Sequence, residues 1–288
     1  MKQKRATSTV WRRRVGGQLL RWREPVMSAA DAARAMGWDQ THLSRVQRGQ
    51  YRISADNVRK LCRLIGVDDE AAVEEVARVA EKPLGGGWWA PYAGRIGQAY
   101  HDFIELEAEA ESIRIHHPVV VPAPLQSAGY VREILTRAAN NLTAERAEML
   151  VSIRMARQGI LTRDERPAKL HALVPEPALH AQFDSGPAVM RDQIRKLIDA
   201  TEMPNVTLQL VPLTAHPAFV TKGPLTLLSF RHPWVPVGSL DNPMGGTHTE
   251  EPEAVSWMEE EFDLISSIAL PVDESRERLE KYLEGLYA

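Results

Sequence analysis

The chain has 288 residues, 44% hydrophobic and 25% charged, which is enough apolar side chain for a small core and a larger one. No apolar run approaches a membrane span, no apolar signal region follows the basic first residues, and a single cysteine excludes an internal disulfide. The net charge of −3 hides an asymmetry: residues 1–82 hold 17 Lys and Arg against 10 Asp and Glu (+7), the rest 18 against 28 (−10). A basic amino-terminal third suits a polyanionic partner, the acidic remainder does not, and a reducing cytoplasmic setting is expected.

Taken in order, Val15, Leu19, Leu20 and Trp22 form the apolar stripe of a first helix studded with Arg12, Arg13, Arg14, Arg21 and Arg23. Ser28 is placed to cap a second helix, Ala29 to Met36, which Gly37 ends; Ala32 and Ala33 are small enough for a close helix crossing. Asp39 is placed to cap a third helix, Gln40 to Gln47, with Leu43 and Val46 turned inward. Its opposite face carries Gln40, Thr41, Ser44 and Arg45, whose amide and guanidinium groups suit base edges in the major groove. Ser54 opens a fourth helix with Val58, Leu61, Cys62 and Ile65 at helical spacing, ended by Gly66, and Asp68 to Ala80 is the fifth. Arg48, Arg52 and Lys60 are the candidate phosphate contacts. Cys62, on an apolar stripe, is read as a core residue.

The segment Lys82 to Gly87, KPLGGG, is the expected hinge, since proline ends the fifth helix and three glycines follow. Trp88, Trp89 and Tyr92 then form an aromatic group suited either to a planar ligand or to filling a seam. A helix is expected from about Ile96 to His116, another near Thr143 to Gly159, and others at about Ala188 to Ala200, Pro252 to Ser267 and Glu274 to Leu286. Strands are expected at Leu170 to Val174, Val206 to Val211, Leu225 to Phe230 and Trp234 to Val237. The fold expected is α+β overall: an all-α helix-turn-helix domain over 1–82, a hinge and aromatic segment over 83–95, and an α+β domain over 96–288 with a sheet of about four or five strands.

Five short helices with a hairpin at the second and third resemble the lambda-repressor-like fold, and Arg14 to Val67 resembles the DNA-binding domain of the XRE family. LSRVQRG (Leu43 to Gly49) followed by RISADNVRKLCRLIGV (Arg52 to Val67) carries the likeness; the family often has Gln at Ala29 and Glu at Gln47. GWWAPY (Gly87 to Tyr92), VPAPLQSAGY (Val121 to Tyr130), RMARQ (Arg154 to Gln158), PEPALH (Pro175 to His180), NVTLQLVPL (Asn205 to Leu213) and GPLTLLSF (Gly223 to Phe230) resemble the carboxy-terminal domain of WhiJ-like and antitoxin-like actinobacterial regulators. That family usually has glycine and leucine at Ala123 and Pro124 and a glutamate at Asp241. The resemblance implies a cytoplasmic transcriptional regulator, dimeric on an operator in double-stranded DNA, whose larger domain senses a metabolite or a small partner protein encoded nearby. An antitoxin-like interaction protein is the alternative.

Tyr130, Arg154, Arg157, Gln158 and Glu176 are the candidate pocket for such an effector, with Arg154 and Arg157 three apart on one helix. The bland alternative is ion pairing of these arginines with Glu176 or Asp241. Catalysis is not expected: no HExxH, CxxC, nucleophile elbow or phosphate loop is present, and the glutamates of 250–261 spread around a helix. No metal and no cofactor are expected. His116 and His117 are the one adjacent histidine pair.

Overall fold

The computed structural model describes residues 9–83, 86–138, 143–215, 223–240 and 246–285. Leu84 and Gly85 of the expected hinge, and Asp241, lie outside these residues. The chain divides into two compact units, one comprising 1–106 with 230–235, the other 107–229 with 236–288. The first therefore extends beyond the expected boundary at Lys82.

The first unit holds α1 (Val10–Arg23), α2 (Ala29–Met36), α3 (Gln40–Gln47), α4 (Ala55–Ile65) and α5 (Glu70–Ala80), with all but the last residue of α6 (Gln98–Glu107). The expected caps work locally. The side chains of Ser28, Asp39 and Ser54 accept from the amides of Asp31, His42 and Asn57, and Gly37 and Gly66 end their helices in the left-handed region. Leu19, Ala32, Leu43, Val46, Val58, Leu61, Cys62, Val76 and Ala77 are buried between these helices. Burial pushes the Cys62 thiol up to about 11, so it stays protonated and inert.

Two glycines set the crossing of α1 on α3. A Cβ on Gly16 would stand 2.5 Å from the carbonyl oxygens of both Val46 and Gln47. Gly49 takes φ 68°, and a Cβ there would meet the Arg13 nitrogen at 2.6 Å. Only glycine lets the backbones touch.

Two of the five arginines of α1 are buried rather than part of the exposed basic face that the sequence suggests. Arg14 and Arg23 are buried, Arg13 pairs with Asp102 at 2.5 Å, and Arg21 donates to Gln18. Arg14 lies over the rings of Trp11, Phe230 and Trp234, 4.3–5.7 Å from their centroids, and donates to the Val235 carbonyl at 2.6 Å. Trp234 in turn donates to Glu75 at 3.1 Å. This box, with the Trp11 indole donating to the Glu105 carbonyl, ties 230–235 and α6 as far as Leu106 into the first unit.

The second unit is α+β, with a six-stranded mixed sheet ordered β3-β2-β1-β4-β5-β6: β1 (Ser112–His116), β2 (Lys169–Pro175), β3 (Val206–Val211), β4 (Leu225–Ser229), β5 (Val237–Leu240) and β6 (Thr247–Thr249). β1, β2 and β3 run parallel, and β4, β5 and β6 continue antiparallel. Its helices are α7 (Ala128–Ala138), α8 (Ala144–Arg157), α9 (Ala188–Thr201), α10 (Pro252–Ile268) and α11 (Val272–Gly285). Val255, Met258, Phe262 and Ile265 of α10 pack on Leu173, Val211, Leu225 and Leu227, while α9 and α11 lie along β3.

Three expectations are corrected here. The single helix expected from Ile96 to His116 is α6 followed by β1, because Ile113 and Ile115 alternate with polar neighbours and pair with β2 and β4 in the middle of the sheet. Trp234 to Val237 is not a strand: Trp234 packs against Trp11, Pro236 has no amide to donate, and β5 begins at Val237. The sheet has six strands rather than four or five, since β1 was hidden in the helical reading and β6 is a short, polar edge strand.

Candidate nucleic-acid interface

Helix α2 ends on Gly37 at φ 73°, with the Trp38 amide bonded back to Ala33 O at 2.8 Å, and two residues later Asp39 opens α3. This tight corner fixes α3 against α2 through buried Ala32, Ala33, Leu43 and Val46 and leaves its other face outward. Gln40, Thr41 and Arg45 are exposed there and Ser44 is half-buried. All four lie within one and a half turns of one helix, so a single surface presents them.

That face is more preorganised than the sequence suggests. The Arg45 guanidinium donates to the Tyr51 hydroxyl at 2.6 Å and lies 5.2 Å from its ring centre. His42 stands between Trp38 and Tyr51, with ring centres at 4.7 and 5.4 Å. An aromatic ladder of Trp38, His42 and Tyr51 thus flanks the polar residues. Sequence reasoning missed it because Tyr51 lies beyond the end of α3; the signal was an aromatic residue just past Gly49.

The candidate phosphate contacts are all exposed. Arg48 donates to Ser44 Oγ, which ties a phosphate-reaching group to a groove-facing one. Arg52 donates to the Glu81 carbonyl at 2.8 Å and stands near Arg12, whose guanidinium is held below its ordinary range by burial and then by Arg52. Two like charges held together are relieved by a polyanion. Lys60 stands on α4. Arg59, its neighbour, is committed to Glu74 at 2.7 and 2.8 Å.

The effector residues named from the sequence are each engaged by partners within the second unit. The Tyr130 ring is fully buried, its hydroxyl accepting from Val121 N. Arg154 and Gln158 both meet Gln126, and Lys196 donates to Gln158. Arg157 makes a two-bond pair with Glu107 at 2.6 and 2.8 Å, not with Glu176. Glu176 accepts from Leu213 N and Tyr282 and pairs with Arg278.

His116 is buried in β1, its Nδ1 donating to the Leu173 carbonyl at 3.3 Å, while His117 Nδ1 accepts from the amides of Val119 and Val120. Among the described residues, His101, Asp102 and Glu105 bring ligand atoms within 4.8 Å of one another. Asp102 there is already held by Arg13 and Gln98.

A family model described as a helix-turn-helix domain matches residues 14–76, which contain α2, α3 and their caps. A second, described as a domain of unknown function (DUF5753), matches residues 100–281. The chain belongs to the DUF5753 family. The DUF5753 match takes in the whole sheet and most of α6, and the helix-turn-helix match supports a DNA-binding regulator. No curated protein and no solved structure matches the chain. Among the described residues no helix is long and apolar enough to cross a membrane.

Proposed function

We propose that this protein is a non-catalytic, sequence-specific transcriptional regulator that binds its operator as a homodimer and whose second unit senses a metabolite. The observation that carries the reading is the α3 face, where Gln40, Thr41 and Arg45 stand exposed on a capped hairpin. Arg45 is aimed by Tyr51 rather than spent in an ion pair. Arg45 then takes a guanine edge, Gln40 an adenine edge, and Arg12, Arg48, Arg52 and Lys60 the backbone phosphates. Two-fold pairing sets the recognition helices about 34 Å apart, one turn of DNA.

Fluorescence anisotropy with the DNA upstream of the protein's own gene tests this, read across a salt series. A regulator shows a steep salt slope and a preference over scrambled DNA of the same composition. Binding without preference, or none at all, refutes it and favours an interaction module.

A further inference from the structure

The second unit contains a cavity of about 560 Å3 bounded by residues 179–187, α9 and the last turns of α11. That volume falls in the range of small-molecule sites, roughly 300–1,000 Å3. One wall is apolar. Leu179, Met190 and Ile194 are buried, and half-buried Phe183 is braced edge-on by Tyr130 at 5.3 Å.

The other wall is polar and basic. His180 and Tyr282 stand perpendicular at 5.1 Å, with His180 Nε2 3.1 Å from the Tyr282 hydroxyl, and exposed Lys281 lies beside them. Tyr282 donates to Glu176 Oε1 at 2.7 Å, so its oxygen is left to accept and His180 Nε2 carries the hydrogen. Burial, with Glu176 next, pushes the Tyr282 phenol up to about 12, which keeps this chain pointing from His180 inward to Glu176. Glu176 is itself engaged by Leu213 N at 2.6 Å and by Arg278 at 3.4 Å. Its negative charge is taken up inside the fold, and the Lys281 ammonium supplies the charge at the cavity wall.

We propose that this cavity binds a small amphipathic carboxylic acid, its apolar body on Phe183, Met190 and Ile194 and its carboxylate at Lys281. A single ammonium suits a monoanion; a phosphate dianion calls for an arginine fork or a nest of amides. The inference rests on the reading of the second unit as a sensor.

Isothermal titration of the full chain with 4-phenylbutyrate and octanoate, each against its neutral primary amide, tests it. The acids bind at one site per chain and at least about fivefold more tightly than the amides. Lys281→Gln, on an exposed side chain, weakens the acids about fivefold and leaves the amides unchanged. Met190→Trp fills the apolar wall and removes both. Equal binding of acid and amide, an unaffected Lys281→Gln variant, or no saturable heat with either acid overturns the proposal. Operator affinity with and without the acid separates the two readings. Binding that leaves operator affinity unchanged keeps the cavity and overturns the sensor. An effect on operator affinity that survives a folded Met190→Trp variant keeps the sensor and overturns the cavity.

Discussion

Gly16 and Gly17 are neighbours on α1, and alanine is expected to act with opposite signs at the two. At Gly16 the new Cβ would stand 2.5 Å from two carbonyl oxygens at the end of α3, roughly 1 Å inside favourable non-bonded contact. Those neighbours are backbone, so no side chain can swing aside and α1 must lift from α3. Overpacking of this kind costs typically 1–3 kcal/mol, and here belongs at the top of that range, against a gain of about 1 kcal/mol in helix propensity. The net expectation is a loss of about 2 kcal/mol. At Gly17 the nearest atom is the Arg21 guanidinium at 3.9 Å, so the propensity gain of about 0.5–1 kcal/mol acts alone.

Urea denaturation followed by tryptophan fluorescence reads this difference in the full chain, because six of the seven tryptophans lie in the first unit. The midpoint falls for Gly16→Ala and rises for Gly17→Ala. Shifts of the same sign in both variants, or a neutral Gly16→Ala, refute the close-crossing argument.

Further outcomes follow from named groups. Gln47 is buried with its Nε2 unpartnered, and its Oε1 is 3.5 Å from Arg23, whose Nε is also buried without a partner. Gln47→Glu is expected to raise stability by about 1–2 kcal/mol, measured by thermal unfolding, as a charge-assisted bond replaces an orphaned donor. Arg45→Ala is expected to weaken operator binding by about 1–3 kcal/mol and to relax preference at one base pair, whereas Tyr51→Phe, which keeps the ring, costs under about 1 kcal/mol; anisotropy on single-base operator variants measures both. Burial holds His116 down at about 4 against an ordinary 6.5. The unfolded chain therefore takes up this proton first. Stability from this site is intact above pH 6.5 and falls as pH drops toward 4, by on the order of 3 kcal/mol, and His116→Gln flattens that fall in urea melts across pH.

Helix ends were legible because their chemistry is local. Ser28, Asp39 and Ser54 accept from amides three residues on, and Gly37 and Gly66 need only their own backbone freedom, so α2, α3 and α4 follow from short windows of residues. The exposed set Gln40, Thr41 and Arg45 was legible for the same reason, as the outward complement of Leu43 and Val46. Val206 to Val211 was legible as a strand from strict alternation.

The rest depends on partners distant in the chain. Ile113 and Ile115 become a strand only because Lys169–Leu173 and Leu225–Ser229 lie on either side, and the run of helix-forming residues before them masks a period of two. Whether Arg14 meets phosphate or a cage of aromatic rings is decided by Phe230 and Trp234, more than two hundred residues away. Arg157 finds Glu107 across 50 positions, and Glu176 finds Tyr282 across 106. A sequence fixes what a side chain can do and which turn it caps, since those energies act within one helical turn. Which charge is buried, which is left facing solvent and where a cavity forms are set by long-range packing, and only the tertiary structure decides them.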